Sequence, residues 1–176
     1  MRRCGYNILK GVAWSEWPVY VMSKALALSA LVLLTIAVVR RARQRTDGRG
    51  LLTWSWLFLL MHAALSLMIL SAAYYPSYFE GAKLTLSAGL SMLVGAGALA
   101  ALNKLARTCE AVDSSRWVVA LGAVGFAVGV HAGLLGYGGW FQPQKWPGYL
   151  VPITLLSFLA GVVCLAAAIR VWRSAR

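Results

Sequence analysis

The sequence predicts an all-α membrane protein, a bundle of five transmembrane helices with its amino terminus outside and its carboxyl terminus in the cytoplasm. Of its 176 residues, 60% are hydrophobic and only 12% are charged, and the mean hydropathy is +0.70. A soluble domain carries roughly a quarter charged residues. The charges also fall in short stretches between long apolar runs, as in chains that cross hydrocarbon. We expect residues 1–176 to form a single membrane domain.

Five windows contain the roughly 20 apolar residues that a spanning helix needs. Because the connections between them are short, sequential helices should be antiparallel neighbours. None of these windows is expected to be a strand, since the runs are too long and do not alternate. The predicted spans cover residues 19–39, 51–74, 84–102, 117–138 and 149–172.

The distribution of Lys and Arg predicts the orientation of the bundle. The segments 40–50, 103–116 and 170–176 together carry eleven basic residues, whereas the alternate loops carry only Lys83 and Lys145. The three rich segments should therefore be cytoplasmic. Three basic residues in the amino-terminal segment count against this orientation, but the five arginines after the first span should outweigh them.

The net charge of +12 would suit a nucleic-acid binder, but the chain offers no soluble surface for one. We expect contact with anionic membrane lipid instead, and no nucleic acid. The three cysteines, Cys4, Cys109 and Cys164, form no Cys-x-x-Cys pair, so neither a disulfide framework nor a zinc site is indicated. No span contains paired carboxylates, which disfavours a proton pump or a secondary transporter.

Aromatic residues gather in the segments predicted to lie outside. An interfacial belt is the simpler interpretation, because amphipathic rings favour the headgroup level. A docking surface for an outer partner is the alternative. These residues are Trp14, Trp17, Tyr74, Tyr75, Tyr78, Phe79, Trp140, Phe141, Trp146 and Tyr149.

The only two histidines, His62 and His131, fall inside the second and fourth predicted spans. Ionisable side chains at membrane depth are costly and usually functional. Both spans run from the cytoplasm outward, so they are parallel, and both imidazoles should lie about 16 to 21 Å above the cytoplasmic boundary. One neutral imidazole from each of two helices is what a six-coordinate b-type haem requires. We therefore predict His62 and His131 as metal ligands.

A purely structural role is the alternative for these histidines. Each imidazole could hydrogen-bond across a helix interface, for instance to Ser66 or Thr85. The haem would not be covalently attached in any case, since the chain has no Cys-x-x-Cys-His motif.

Small residues near the histidines complete the predicted cofactor-binding set. Gly125, Gly129 and Gly133 recur every four residues along the fourth span, and a stripe of this kind admits either a neighbouring helix or a flat ring. Ser66 follows His62 by one turn. We assign these four residues to cofactor binding, with ordinary helix packing as the alternative for the glycines.

Stretches 23–42, 48–75 and 83–138, taken in order, resemble the ferric reductase-like transmembrane domain. SKALALSALVLL and its basic loop are similar to that family's first core helix, and KLTLSAGLSMLVGAGALAAL to the span between its histidine helices. GRGLLTWSWLFLLMHAALSLMIL and RWVVALGAVGFAVGVHAGLL resemble the two histidine helices themselves. The likeness is closest to members that form the haem-bearing membrane subunit of a bacterial envelope methionine sulfoxide reductase system.

This resemblance implies a haem held by His62 and His131 in a bacterial inner membrane. The family's second pair of histidines has no counterpart, since Val118 stands at one of those positions and Tyr75 or Pro76 at the other. The resemblance therefore implies at most one bis-histidine haem. It also implies that electrons come from another protein or a quinone, because no flavin or nicotinamide domain is present.

Two functions follow from these observations. The first is a membrane electron-transfer subunit with one haem b, at most the haem-bearing part of an oxidoreductase, without a catalytic domain of its own. The alternative is a structural or pigment-binding subunit of a larger membrane complex, in which the histidines ligate a chlorophyll-type pigment or only pack. Partner subunits are expected in both cases.

Overall fold

The computed structural model describes residues 17–43, 48–72, 75–108, 114–145 and 151–176. Within these ranges it contains five long helices, each of them long and apolar enough to cross a membrane. The predicted all-α, five-helix membrane bundle is thereby confirmed. The helices are α1 (Trp17–Ala42), α2 (Arg49–Met68), α3 (Leu86–Arg107), α4 (Ser114–Gly136) and α5 (Ile153–Ser174).

The first four helices form a ring. Helix α2 packs extensively against α1 and less so against α3, α4 packs against α3 and α1, and α5 lies outside the ring against α4 and α1. Helices α2 and α4 therefore occupy diagonal positions. Contacts such as that of Ser55 in α2 with Ala30 in α1, and that of Ser91 in α3 with His131 in α4, join antiparallel neighbours.

The two ends of this bundle differ in chemistry. At the end where α1, α3 and α5 finish, here called the basic end, the helix termini carry arginines and lysines. At the opposite end, here called the aromatic end, α2 and α4 finish and the connections carry tyrosine, tryptophan and phenylalanine. The orientation of these ends in a membrane stays a prediction.

The best-packed part of the core lies near the basic end. Trp117 of α4 is fully buried there, donates its indole N–H to the Leu105 carbonyl at 3.3 Å and lies 5.4 Å beneath the Arg41 guanidinium. On the outside, large apolar side chains such as Leu86, Leu93 and Met68 are exposed. An outer surface of this kind suits acyl chains, and it supports the expected contact with membrane lipid.

Two helix ends differ most from the predicted spans. Helix α2 ends at Met68, not near residue 74: the Leu70 amide donates to the Leu67 carbonyl at 3.3 Å, three residues back instead of four. Helix α3 continues to Arg107, five residues beyond its predicted end, and its last turn is held by an Arg107–Asn103 side-chain hydrogen bond of 3.0 Å. The predicted spans were taken from the extent of the apolar runs. An apolar run shows which residues can cross a membrane, but it does not show at which residue the helical hydrogen bonds end.

The connection between α2 and α3 contains a small hairpin that was not predicted from the sequence. Strands β1 (Phe79–Glu80) and β2 (Lys83–Leu84) pair antiparallel around Gly81, whose φ of 62° favours glycine. Just after the hairpin, Thr85 caps α3 by accepting from the Ala88 amide at 3.3 Å. The hairpin covers part of the aromatic end.

Several residues considered in the sequence lie outside the described ranges, and nothing is said of their structure. They are Cys4, Trp14, Tyr74, Cys109, Trp146 and Tyr149.

Candidate functional site

Each histidine lies close to the aromatic end of its helix. His62 is six residues before Met68, the last residue of α2, and His131 is five residues before Gly136, the last residue of α4. At 1.5 Å per residue these positions are about 9 Å and about 8 Å from the helix ends. Since α2 and α4 are parallel, the two imidazoles lie at similar depths.

The histidines belong to the two diagonal helices of the ring. Helix α2 does not pack extensively against α4, so the two imidazoles come from opposite sides of the ring of helices rather than from one helix interface. Helical bundles hold cofactors and metals between side chains of different helices.

The imidazole of His62 is anchored to α1. Its Nδ1 lies 2.9 Å from the backbone carbonyl oxygen of Ser23 and 3.0 Å from the Ser23 hydroxyl oxygen. The hydroxyl of Ser66, one turn further along α2, lies 3.3 Å from the same nitrogen and 2.9 Å from the Ser23 hydroxyl. Three oxygens therefore surround Nδ1.

The imidazole of His131 is anchored to α3 in the same way. Its Nδ1 lies 2.6 Å from the backbone carbonyl oxygen of Ser91 and 2.9 Å from the Ser91 hydroxyl oxygen, and this hydroxyl donates to the His131 carbonyl at 3.0 Å. Gly95, one turn along α3, leaves space for the ring: a β-carbon there would lie 2.9 Å from Nδ1.

These contacts fix the tautomer of both rings. A carbonyl oxygen only accepts, so the ring nitrogen that faces it must carry the proton. In the neutral imidazole, Nε2 then keeps its lone pair. All the hydrogen bonds that join the two imidazoles to described residues run through Nδ1, and each Nε2 is left available to a metal. Metal-ligating histidines generally show this pattern, with the second ring nitrogen donating to a carbonyl or carboxylate.

The glycine stripe does not face this site, which corrects the assignment of Gly125, Gly129 and Gly133 to cofactor binding. Added β-carbons at Gly125 and Gly129 would lie 2.7 Å from the Cys164 sulfur and 3.1 Å from the Gly161 Cα of α5, respectively. Gly133 lies against Trp140 and Phe158. The stripe packs α4 against α5, which was the alternative interpretation.

Helix geometry explains this correction. Residues two apart on a helix point about 200° apart, so Gly129 and Gly133 lie on the face of α4 opposite to His131. A flat ring bound by His131 therefore cannot also lie against these two glycines.

Each imidazole hydrogen-bonds across a helix interface, as the structural alternative expected, His62 to Ser23 of α1 and His131 to Ser91 of α3. Ser66 contacts the Nδ1 edge of His62, so its position supports the ring rather than the metal-binding edge. Thr85, considered in the sequence as a possible histidine partner, caps α3. Ser23, Ser91 and Gly95 were not predicted from the sequence, because single serines and glycines on apolar helices are common and only the packing identifies them.

Two tyrosines pack together at the aromatic end. The rings of Tyr75 and Tyr78 have centroids 4.9 Å apart. The ring of Tyr75 also lies 6.2 Å from that of Tyr20 in α1, measured between centroids. Burial raises the pKa of Tyr75 and raises the pKa of Tyr78 to about 12, so both hydroxyls stay protonated at neutral pH.

Within the described ranges, no group of three or more His, Cys, Asp or Glu side chains could hold a metal ion. A closed zinc site takes four protein ligands. A haem supplies four nitrogens from its own macrocycle, so two axial imidazoles are a complete protein contribution.

Comparisons with protein-family models, with curated proteins and with solved structures found no match to this chain.

Proposed function

We propose that this protein is a membrane electron-transfer subunit that binds one haem b between α2 and α4, with His62 and His131 as the axial ligands. The observation that carries the proposal is the paired anchoring of the imidazoles. Each Nδ1 faces a serine carbonyl of a neighbouring helix, which leaves each Nε2 unprotonated on diagonal helices of one bundle.

The residues present fit a bis-imidazole group. His62 and His131 lie at similar depths, and Gly95 relieves crowding at the edge of one ring. Neither Nε2 is among the buried side-chain atoms that lack a hydrogen-bond partner in the described residues, so each borders accessible space that a ligand could enter. Here the contacts with described residues use one nitrogen of each ring.

The bound haem would supply a reversible one-electron couple. The chain's own contribution is to hold both imidazoles in one tautomer and at a fixed depth, each one turn after a buried apolar residue of its helix, Leu59 in α2 and Val128 in α4. Hydrogen bonds from Nδ1–H make an imidazole a stronger donor to a metal. The serine carbonyls would therefore tune the potential of the couple as well as the geometry.

The electron partners follow from the architecture. The described ranges contain no domain beyond the helical bundle, so we propose that electrons come from or go to a partner protein or a quinone. A site about 8 to 9 Å from the aromatic end would exchange electrons most readily at that end. By the predicted orientation this is the outer face of a bacterial inner membrane.

A reduced-minus-oxidised visible spectrum of the purified full-length chain tests the proposal. We expect a sharp b-type band, and we expect each of the variants His62→Ala and His131→Ala to become high spin or to lose the haem, since one imidazole leaves an axial position open. Thr53→Ala, an exposed change on α2, is the control. A red pigment band would favour the pigment-binding alternative. The absence of any band, or a low-spin band kept in both histidine variants, would rule out the proposed ligation.

A further inference from the structure

One arginine is packed into the basic end of the bundle with an unsatisfied donor. Arg41 lies in the last turn of α1 and is half-buried. Within the described ranges, its Nε is the one buried side-chain nitrogen or oxygen that has no hydrogen-bond partner. Buried polar groups in native proteins normally have a partner, so an exception of this kind points to an ion or a water that fills the role. The proposed function gives Arg41 no part.

The buried ring of Trp117 holds the guanidinium of Arg41 in place. The guanidinium carbon lies 5.4 Å from the centre of the ring, within the range of a cation–π contact. The indole attracts the charge but offers no acceptor, because its nitrogen only donates. That N–H is already used, since it donates to the Leu105 carbonyl at 3.3 Å. The contact with Trp117 therefore fixes the cation and leaves its N–H donors to an anion.

The pair of Arg41 and Trp117 lies at the edge of the spanning part of the bundle. Arg41 is the second-to-last residue of the candidate span Pro18–Ala42, and Trp117 is the third residue of the candidate span Ser115–Leu134. The edge of a span lies at the level of the lipid headgroups. Phosphate groups are the abundant anions at this level, and many of the lipids that carry them are negatively charged.

The charge around this pair also favours an anion. The last turns of α1 and α3 add Arg40, Lys104 and Arg107 at the same end. Glu80, the only acidic residue in the described ranges, lies in the hairpin at the opposite end. A planar guanidinium matches the oxygens of a phosphate with two parallel hydrogen bonds. The described residues at this end therefore offer donors that suit a phosphate and no carboxylate to compete with it.

We propose that Arg41, held against Trp117, binds the phosphate group of an anionic phospholipid where α1 meets α4. The phosphate supplies the acceptors that the described residues do not provide for Arg41. The acyl chains lie along the outer face of α1, where Val32 and Ile36 are exposed. The proposal does not depend on the haem, whose proposed ligands lie near the aromatic end.

Titration of delipidated full-length protein with phosphatidylglycerol, followed by native mass spectrometry, measures the binding of single lipid molecules. Arg41→Gln should raise the apparent Kd of the first bound lipid by about tenfold or more, since it removes hydrogen bonds to a charged group. Arg40→Gln is the matched control, because it removes the same charge from an exposed side chain in the same turn. It should raise the Kd by roughly fivefold at most.

Equal Kd values for Arg41→Gln and Arg40→Gln would overturn the proposal. Arg41→Lys keeps the charge without the planar fork, so it should also bind the lipid more weakly than the wild type. If Arg41→Gln does not fold, Arg41→Lys decides the question, and wild-type affinity in that variant would overturn the proposal.

Inorganic phosphate tests the other source of the same chemical group. At a concentration equal to that of the lipid it should not displace phosphatidylglycerol from the wild-type chain, because it has no acyl chains that bury apolar surface. Displacement by inorganic phosphate would assign the site to free phosphate and overturn the assignment to a lipid.

Discussion

At the scale of single residues, the site depends on what lies behind each imidazole. Ser23 and Ser91 are fully buried and present both a carbonyl and a hydroxyl oxygen to Nδ1. A buried imidazole with an unsatisfied N–H would cost about 1–3 kcal/mol, so these contacts set the tautomer firmly. Gly95 leaves space for the ring of His131. A β-carbon at this position would lie only 2.9 Å from Nδ1, so a larger residue would displace the ring.

Gly95→Ala should weaken haem binding without weakening the fold. The added β-carbon would lie 2.9 Å from Nδ1 and 3.0 Å from Cε1 of His131, so the imidazole must turn away from Ser91. We expect a loss of roughly 10–100-fold in haem affinity, the range typical of disturbed outer-shell partners. Haem titration of the purified apoprotein measures it.

Gly97→Ala is the control for this change, because nothing lies within 4 Å of an added β-carbon there. Both substitutions raise helix propensity by about 1 kcal/mol. If Gly95→Ala and Gly97→Ala bind haem with equal affinity, the Gly95 contact does not position His131.

At the scale of helices, α4 presents two different faces. One carries His131 toward the ring of four helices, and the opposite face carries the glycines that admit α5. Gly129 meets Gly161 of α5, so two backbones approach each other without side chains between them. This is the small-residue packing common in membranes.

Gly129→Leu should separate α4 from α5 and destabilise the bundle. A β-carbon at this position would already lie 3.1 Å from the Gly161 Cα, so overpacking should cost about 1–3 kcal/mol or more. Ala123→Leu on the exposed face of α4 is the matched control. Denaturation of the two variants in detergent measures the difference, and equal stability would contradict the assigned packing.

Much of the site could be predicted from the sequence, and the rest depended on packing. His62 and His131 stand out because ionisable residues are rare within spans, and the span count makes their helices parallel. Ser23 and Ser91 could not be found in this way, since their role comes from which helix face meets which neighbour. The end of α2 at Met68 was missed because the apolar residues continue past the last helical hydrogen bond.

At the scale of the whole molecule, charge and aromaticity divide the bundle into two ends. The basic end carries Arg40, Arg41, Lys104 and Arg107, while the aromatic end carries the touching rings of Tyr75 and Tyr78. Lys and Arg are retained on the cytoplasmic side during insertion. The candidate site should therefore lie in the outer half of the membrane.

Reporter fusions test this orientation. A reporter that is active only in the cytoplasm should give signal when fused after Arg176 and none when fused after Trp140. The basic residues of the described helix ends favour this result, because they lie together at one end. The reverse pattern of activity would place the histidines in the cytoplasmic half and invert the assignment of the outer face.

The amount of haem b bound per chain tests the central claim most directly. The measurement is made on purified full-length protein, wild type and the double variant His62→Ala/His131→Ala, after saturation with haem and removal of the excess. We predict one low-spin haem per wild-type chain, because the two imidazoles complete one axial pair, and none in the double variant. A folded wild-type chain that retains no haem, or a double variant that retains as much as the wild type, would contradict the account.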